Sequence, residues 1–271
     1  MRRNCLLTRD WLACGVEVLY DHIGRPDIAG REGAGQPIPR EDANITSYSA
    51  CHEHANRWWW RRRRPGGLGR HGELEVGAPW AGCLQHPTQL PPGDGYLIRR
   101  PARSFGTETT IEYIERAIGQ TLEAFPDVHV LPIGDISAES GGRITEHHSH
   151  QSGRDIDVGL FYLDKPDDYP ANFVHADEDN LDCAATFKLL ESFLASASED
   201  GGVQMIFLDF EVQGILYRWA QEHGVSERRL ERIFQYPHGR DSSEGLVRHE
   251  PNHDNHMHVR FQCASDDTAC H

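Results

Sequence analysis

Two segments with the alternating pattern of a β-strand constrain the fold of this chain more than any other feature. Residues 155–162 (DIDVGLFY) place Asp155 and Asp157 on one face and mostly apolar residues on the other. Residues 256–261 (HMHVRF) alternate in the same way between His or Arg and apolar residues. Because successive side chains of a strand point to opposite faces, each segment has one face for a core and one polar face. Histidine and aspartate on the polar faces of a rigid sheet indicate a metal site.

The spacing of these polar residues fits a hydrolytic zinc site. Such a site takes three protein ligands in a tetrahedral arrangement and keeps the fourth position for water, whereas carboxylates alone would suit magnesium or calcium. His150 precedes Asp157 by seven residues, so a turn at residues 152–153 would bring both side chains to one point, with His258 as the third ligand. Zinc lowers the pKa of a bound water to about 7. His256 would then act as general base or stabilise the oxyanion.

The spacing also permits a second arrangement, in which His256 and His258 both bind the ion from one strand face. The chain has 17 histidines in 271 residues, and a single His-x-His pair is weak evidence because such motifs arise by chance. The combination of His150, Asp157 and a second His-rich strand is much harder to obtain by accident. The residues alone leave open whether His256 is a ligand.

Three short motifs carry a family resemblance. They are SHQSGRDID at residues 149–157, HDNHMHVR at residues 253–260 and GDIS at residues 134–137. The first is similar to the Ser-His-Gln-x-Gly-x-Asp-[Val/Ile]-Asp signature of the penicillin-insensitive murein endopeptidases, and the other two resemble further signatures of that family. These enzymes are grouped with lysostaphin, the D-Ala-D-Ala carboxypeptidases and the hedgehog signalling domain. The resemblance covers residues 76–271.

The resemblance implies a zinc peptidase with His150, Asp157 and His258 as metal ligands and His256 as a catalytic residue rather than a ligand. It implies that His253 and His147 line the same site. The implied substrate is the D-alanyl–meso-diaminopimelyl peptide crosslink of peptidoglycan. The family also commonly has a cysteine pair at the position of Cys263 and Cys270, which implies a disulfide there. The alternatives are a D,D- or L,D-carboxypeptidase of the same metal group and a catalytically inert zinc-containing module that binds the cell wall.

Charged residues beside the motifs are further candidates. Arg154, Arg260 and Arg143 would bind substrate carboxylates through bidentate contacts, or would form structural ion pairs with Asp135 or Asp155. We expect His147, Asp155, Arg154 and Arg260 to contact the substrate or to support the metal ligands.

Helical and strand periodicities predict a single α+β domain over residues 76–271, with a small, mainly antiparallel sheet flanked by helices. Helices are predicted from the cap at Thr107 to about residue 125, over 182–195, up to 223 and over 226–233. Strands are predicted at 95–98, 128–133 and 203–210. The polar loop 165–182 is long enough to border a substrate cleft. Cys83 and Cys183 are suggested as a second disulfide.

Residues 1–75 are predicted to be an irregular tail because Gly, Pro and charged residues dominate them. The run at residues 58–65 (WWWRRRRP) has the composition of a nucleic-acid contact, but the net charge of −15 argues against a polyanionic partner. No stretch has 18 consecutive apolar residues, so no membrane span is predicted. The murein substrate implies a periplasmic or extracellular location, although Arg9 and Asp10 interrupt the apolar segment that a signal peptide needs.

Overall fold

The computed structural model describes residues 74–271, and the run at residues 58–65 and nearly all of the predicted tail lie outside this range. Four α-helices and ten strands occur in the described residues, which confirms the α+β class. The helices are α1 (Glu108–Ala124), α2 (Cys183–Leu194), α3 (Phe210–Glu222) and α4 (Glu227–Ile233). The strands are β1 (Leu74–Ala78), β2 (Ala81–Gln85), β3 (Thr88–Gln89), β4 (Tyr96–Ile98), β5 (Phe105–Gly106), β6 (Leu131–Ile133), β7 (Asp155–Gly159), β8 (Val203–Phe207), β9 (Val247–Arg248) and β10 (His256–Phe261).

The main sheet has six strands in the order β4-β6-β7-β10-β8-β9. The three central pairs are antiparallel, as predicted, and the outermost pair on each side is parallel. β7 and β10 therefore lie at the centre of the sheet. Each central strand is hydrogen-bonded to a neighbouring strand on both sides. The two strands therefore form a rigid support for the side chains on either face.

Side-chain caps begin α1 and α2. Thr107 Oγ1 accepts a hydrogen bond from the backbone N of Thr110 at the start of α1. Asp182 accepts one from the backbone N of Ala185 at the start of α2. Each cap satisfies a backbone donor that has no partner inside the helix, which explains why both helices begin where they do.

The hydrophobic core lies between the helices and one face of the main sheet. α1 packs on α2, α2 on α3 and α3 on α4. The buried faces of these helices join the apolar residues of the two central strands in one cluster, which includes Ile156, Val158, Met257 and Val259. The opposite face of those strands carries the aspartates and histidines. No helix among the described residues is both long enough and apolar enough to cross a bilayer.

Three predicted strands are shorter than expected, and the first is β7, which ends at Gly159 although the alternating pattern extends to residue 162. β6 begins at Leu131 rather than 128, because the backbone N of Tyr162 donates to the His129 imidazole and not to a backbone carbonyl. β8 ends at Phe207 because Asp209 caps the helix that follows, accepting a hydrogen bond from the backbone N of Glu211. A polar side chain that bonds to the backbone competes with the ladder of a sheet.

The hairpin of β1 and β2 was not predicted, and it is joined to the C-terminal segment. The backbone N of Gly77 donates to the Ala269 carbonyl, and the backbone N of His271 donates to the Gly77 carbonyl. The Cys263–Cys270 disulfide is formed, as the family resemblance implied. The suggested Cys83–Cys183 pair is wrong, because Cys183 has a free thiol.

Candidate metal centre

The antiparallel register of β7 and β10 brings the two motifs together on the polar face of the sheet. His258 lies directly opposite Asp157, and Arg260 lies directly opposite Asp155. Because both strands present these residues on the same face, the register places an imidazole beside a carboxylate. All five residues of β7 are buried, so this polar face is shielded from bulk water.

His150 reaches the same point from the segment before β7. Its backbone is in the left-handed region, with φ of 63°, a conformation that few residues other than glycine adopt. The backbone N of His150 donates to Asp155 Oδ2 at 3.0 Å, and its Nδ1 donates to the Ile136 carbonyl at 3.0 Å. The proton on Nδ1 leaves the lone pair of Nε2 for the site, which is the tautomer that a metal ligand needs.

Three atoms from these segments form a small triangle. His150 Nε2 lies 3.2 Å from Asp157 Oδ1 and 3.2 Å from His258 Nδ1, and His258 Nδ1 lies 3.1 Å from Asp157 Oδ1. Zinc binds nitrogen and oxygen at about 2.0–2.1 Å, so the edge of a tetrahedron of such ligands is about 3.3–3.4 Å. The triangle has nearly the dimensions of one tetrahedral face.

One atom of the triangle is left unsatisfied by the rest of the described chain. Asp157 Oδ1 is fully buried and accepts no hydrogen bond of acceptable geometry from the described residues. Burial raises the pKa of Asp157, but interactions with His150 and His258 outweigh this effect and hold that pKa well below the usual value. A buried, charged carboxylate oxygen without a donor is costly. A cation at the centre of the triangle would remove that cost, so the residues present fit a bound metal ion.

His147 offers a further ligand atom. The ligand atoms of His147, His150 and Asp157 all lie within 4.8 Å of one another, which would also suit a metal ion. His147 Nδ1 is 3.8 Å from Asp157 Oδ2, farther than His258 Nδ1 is from Oδ1. The other nitrogen, His147 Nε2, lies 2.9 Å from Asp135 Oδ2, which holds the ring at the edge of the site.

His256 lies beside the triangle with a nitrogen facing it. His256 Nε2 is 3.7 Å from Asp157 Oδ1, and its Nδ1 is 2.6 Å from Asn255 Oδ1. Because Asn255 Oδ1 can only accept, the proton is on Nδ1 and the lone pair is on Nε2. Burial lowers the pKa of His256 to about 4, so the ring is neutral at pH 7. His253 lies next to it, with 4.7 Å between the ring centroids, and burial also lowers the pKa of His253.

Asp155 and Arg260 support the triangle from behind. Asp155 Oδ1 lies 3.2 Å from His258 Nε2 and accepts a hydrogen bond of 2.8 Å from Arg260 Nε. A carboxylate on the far nitrogen of a histidine fixes its tautomer and orientation. Of the two roles considered for Arg260, the observed contact is the structural ion pair.

Arg154 is placed differently from Arg260. It is buried, and its guanidinium donates to the carbonyls of Phe261 and His271. These contacts tie the end of β10 and the C-terminal residue to the start of β7. Arg143 is exposed on the segment that precedes the site.

Sequence reasoning missed several residues that surround the site. Arg100 and Arg103 both bind Asp135, which is fully buried. Phe173, from the 165–182 loop, stacks on His256 with 4.7 Å between centroids and 10° between planes. A signal for the arginines existed in the run RRPAR at residues 99–103, which follows β4. Phe173 lies in a polar loop without periodicity, so no local pattern identified it.

Comparison with known proteins identifies the family to which this chain is similar. A family model described as penicillin-insensitive murein endopeptidase matches residues 75–233, which is more than half of the 271-residue chain. A penicillin-insensitive murein endopeptidase of Haemophilus influenzae is 28% identical over 206 residues, covering 72% of this chain and 65% of the relative. A protein of the same name from Yersinia pestis is 27% identical over 202 residues, covering 70% and 66%. Another from Klebsiella pneumoniae is 26% identical over 208 residues, covering 72% and 68%.

The chain spans slightly less than two thirds of the Haemophilus and Yersinia relatives. Within the matched region lie the capped helix α1, the GDIS segment and the His150 to Asp157 motif. From the extent of the family match, we conclude that this chain belongs to the penicillin-insensitive murein endopeptidase family.

Proposed function

We propose that this protein is a zinc-dependent endopeptidase that hydrolyses D-alanyl–meso-diaminopimelyl crosslinks in murein. The observation that supports this most is the triangle of His150 Nε2, Asp157 Oδ1 and His258 Nδ1, with edges of 3.1–3.2 Å. The relatives named above are murein endopeptidases. A murein substrate requires that the protein act in the periplasm or outside the cell.

The donor set favours zinc among the common metals. Two neutral imidazoles and one carboxylate are a usual set for catalytic zinc, whereas magnesium and calcium prefer oxygen ligands alone. His150, Asp157 and His258 would hold the ion. Zinc bound there would supply a Lewis acid that polarises the peptide carbonyl and activates water.

The residues beside the triangle would move the protons of the reaction. His256 Nε2 is neutral and unprotonated at pH 7, so it can accept a proton from the attacking water and pass it to the departing amine. His253, which also remains neutral after burial lowers its pKa, lines the same side of the site. Asp155 and Arg260 would keep the His258 ring in its orientation.

The direct test is muropeptide product analysis joined to metal analysis. Purified protein is expected to contain about one zinc per chain, to cleave dimeric muropeptides into monomers, and to lose activity on chelation and regain it with added zinc. His256→Ala should keep the metal and lose a factor of about 10²–10⁴ in kcat. His150→Ala should lose both metal and activity. His223→Ala, at an exposed histidine at the end of α3, is the matched control and should behave as the wild type.

The same assay separates the alternatives. Trimming of monomeric muropeptides with no cleavage of dimers would show a carboxypeptidase. Zinc and sacculus binding without any hydrolysis would show an inert wall-binding module. Activity that survives both chelation and His150→Ala would remove the metal mechanism.

A further inference from the structure

Three arginines follow the end of β4, and one of them differs from the others. Arg100 binds Asp135 and Glu146, and Arg103 also binds Asp135. Arg99 has no carboxylate within ion-pair distance among the described residues. A part-buried guanidinium stays charged at all relevant pH values, so Arg99 offers an unmatched positive charge.

The Arg99 side chain is nevertheless held in place. Its backbone N donates to the Ile133 carbonyl at 3.0 Å, at the carboxyl end of β6. Its Nε donates to the Ala171 carbonyl at 2.8 Å, and its guanidinium carbon lies 4.5 Å from the centroid of the Phe173 ring. These contacts fix the plane of the guanidinium. Its two terminal amino groups have no hydrogen-bond partner in the described part of the chain, and they form the fork that binds a carboxylate.

Phe173 connects Arg99 to the metal centre. The same ring stacks on His256 at 4.7 Å. It also lies against Gly134, where a Cβ atom would be 2.9 Å from Phe173 Cζ and 2.8 Å from Asp157 Cβ. No larger residue fits at Gly134 without moving the ring or the strand. Arg99 therefore lies one aromatic ring away from the imidazole that would protonate the departing amine.

We propose that Arg99 binds the substrate carboxylate on the carbon that bears the nitrogen of the scissile bond. This inference rests on the proposed function and deepens it, because it assigns the leaving-group side of the cleft. In diaminopimelate each carbon that carries an amino nitrogen also carries a carboxylate, so this carboxylate lies two bonds from the nitrogen that His256 would protonate. Burial lowers the pKa of the Arg99 guanidinium, and the charge of Arg100 acts in the same direction, while Asp135, Asp157 and Glu146 oppose the shift. The guanidinium stays charged, and its two terminal amino groups remain available to a substrate carboxylate.

The test compares two crosslinked dimers that differ only at this carboxylate, which is free in one and amidated in the other. Wild-type protein loaded with zinc should cleave the free form with a kcat/KM about tenfold to a hundredfold higher, the usual range for a charged hydrogen-bonded contact. Arg99→Gln should cleave both dimers at the rate of the amidated one, and Arg99→Lys should retain part of the preference. Arg116→Gln removes an arginine that pairs with Glu199 away from the site and should keep the full preference.

A direct binding measurement makes the inference independent of turnover. Calorimetry with a monomeric diaminopimelate peptide, free or amidated at the same carboxylate, should show the same discrimination in the wild type and its loss in Arg99→Gln. Equal cleavage of both dimers by the wild type, or a preference that survives Arg99→Gln, would overturn the role of Arg99 and leave the proposed function intact. Failure to cleave either dimer would overturn the proposed function, and the calorimetric comparison would then decide the role of Arg99. Zinc content and thermal unfolding of each variant identify any loss of folding.

Discussion

At the residue scale, the Asp155 carboxylate contacts both proposed histidine ligands and Arg260. One carboxylate oxygen faces His258 Nε2 and Arg260 Nε, and the other accepts from the backbone N of His150. Burial raises the pKa of Asp155, but interactions with His258, His150 and Arg260 outweigh this effect and hold that pKa well below the usual value. Asp155 thus orients one proposed ligand through its ring and the other through its backbone.

This arrangement makes Asp155→Asn informative. The amide keeps the size of the side chain but lacks the charge that stabilises the His258 tautomer, so zinc affinity should fall about 10- to 100-fold. Competition with a chromogenic chelator measures the change. Asp167→Asn, at an exposed aspartate of the 165–182 loop, is the matched control. Unchanged zinc affinity in Asp155→Asn would show that the carboxylate does not support the ligands.

At the scale of elements, the 165–182 loop and the helices perform different tasks. The loop is joined to the segment before β10, since the backbone N of Ala176 donates to the Asp254 carbonyl and His175 Nδ1 lies 2.8 Å from Asp254 Oδ2. Phe173 of this loop stacks on His256, so the loop lies beside the candidate site. The helices supply the core, and α2 and α4 are joined by a contact of 2.6 Å between Arg229 Nη2 and Glu191 Oε1.

The burial of Glu191 gives a pH prediction for stability. Burial raises the pKa of Glu191, although Arg229 and Lys188 oppose the effect. A carboxyl group whose pKa is higher in the folded state contributes most to stability when it is protonated, and that contribution is lost as the pH rises through the folded-state pKa. Glu191→Gln should therefore stabilise the protein at pH 7–8, by about 0.5–1 kcal/mol, and the gain should disappear near the usual glutamate pKa of about 4.3.

Urea unfolding of both proteins at a series of pH values measures this difference. Glu231→Gln, at an exposed glutamate of α4, controls for the loss of one negative charge. A stability difference between Glu191→Gln and the wild type that is larger at pH 4 than at pH 8 would contradict the argument.

At the scale of the whole molecule, the proposed ligands come from segments that are far apart in sequence. His150 lies in the segment between β6 and β7, Asp157 is in β7, and His258 is in β10, more than 100 residues later. An unfolded chain seldom holds these groups together, so a metal that binds them stabilises the folded state by mass action.

Metal removal should therefore lower the thermal stability of the whole domain. Free zinc at about 100 to 1,000 times its dissociation constant contributes about 2.7–4.1 kcal/mol, so chelation should lower Tm by roughly 5–15 °C for a domain of this size. Differential scanning calorimetry with and without chelator measures the shift. His150→Ala should show no chelator effect, and His223→Ala should show the full effect. A Tm that does not respond to chelation in the wild type would exclude a site formed by these three segments.

The sequence by itself determined the elements of this protein and the faces of its central strands. Alternation in residues 155–162 and 256–261 predicted both central strands and their polar faces, although β7 ends at Gly159. Thr107 and Asp182 predicted two helix starts. These features depend on side chains within a few residues of one another, because the period of a strand and the cap of a helix are local. The family motifs added the expected set of site residues, and the structure brings those of β7 and β10 side by side.

Only the tertiary structure decided which residues meet across the sheet. The place of β10 between β7 and β8 put Asp155 against Arg260 and turned Arg154 toward the C-terminal segment. The contacts of Phe173 and Arg99 depend equally on how the 165–182 loop folds back over β4 and β6. Such pairings result from many weak contacts between distant segments, and no local pattern in the chain carries that information.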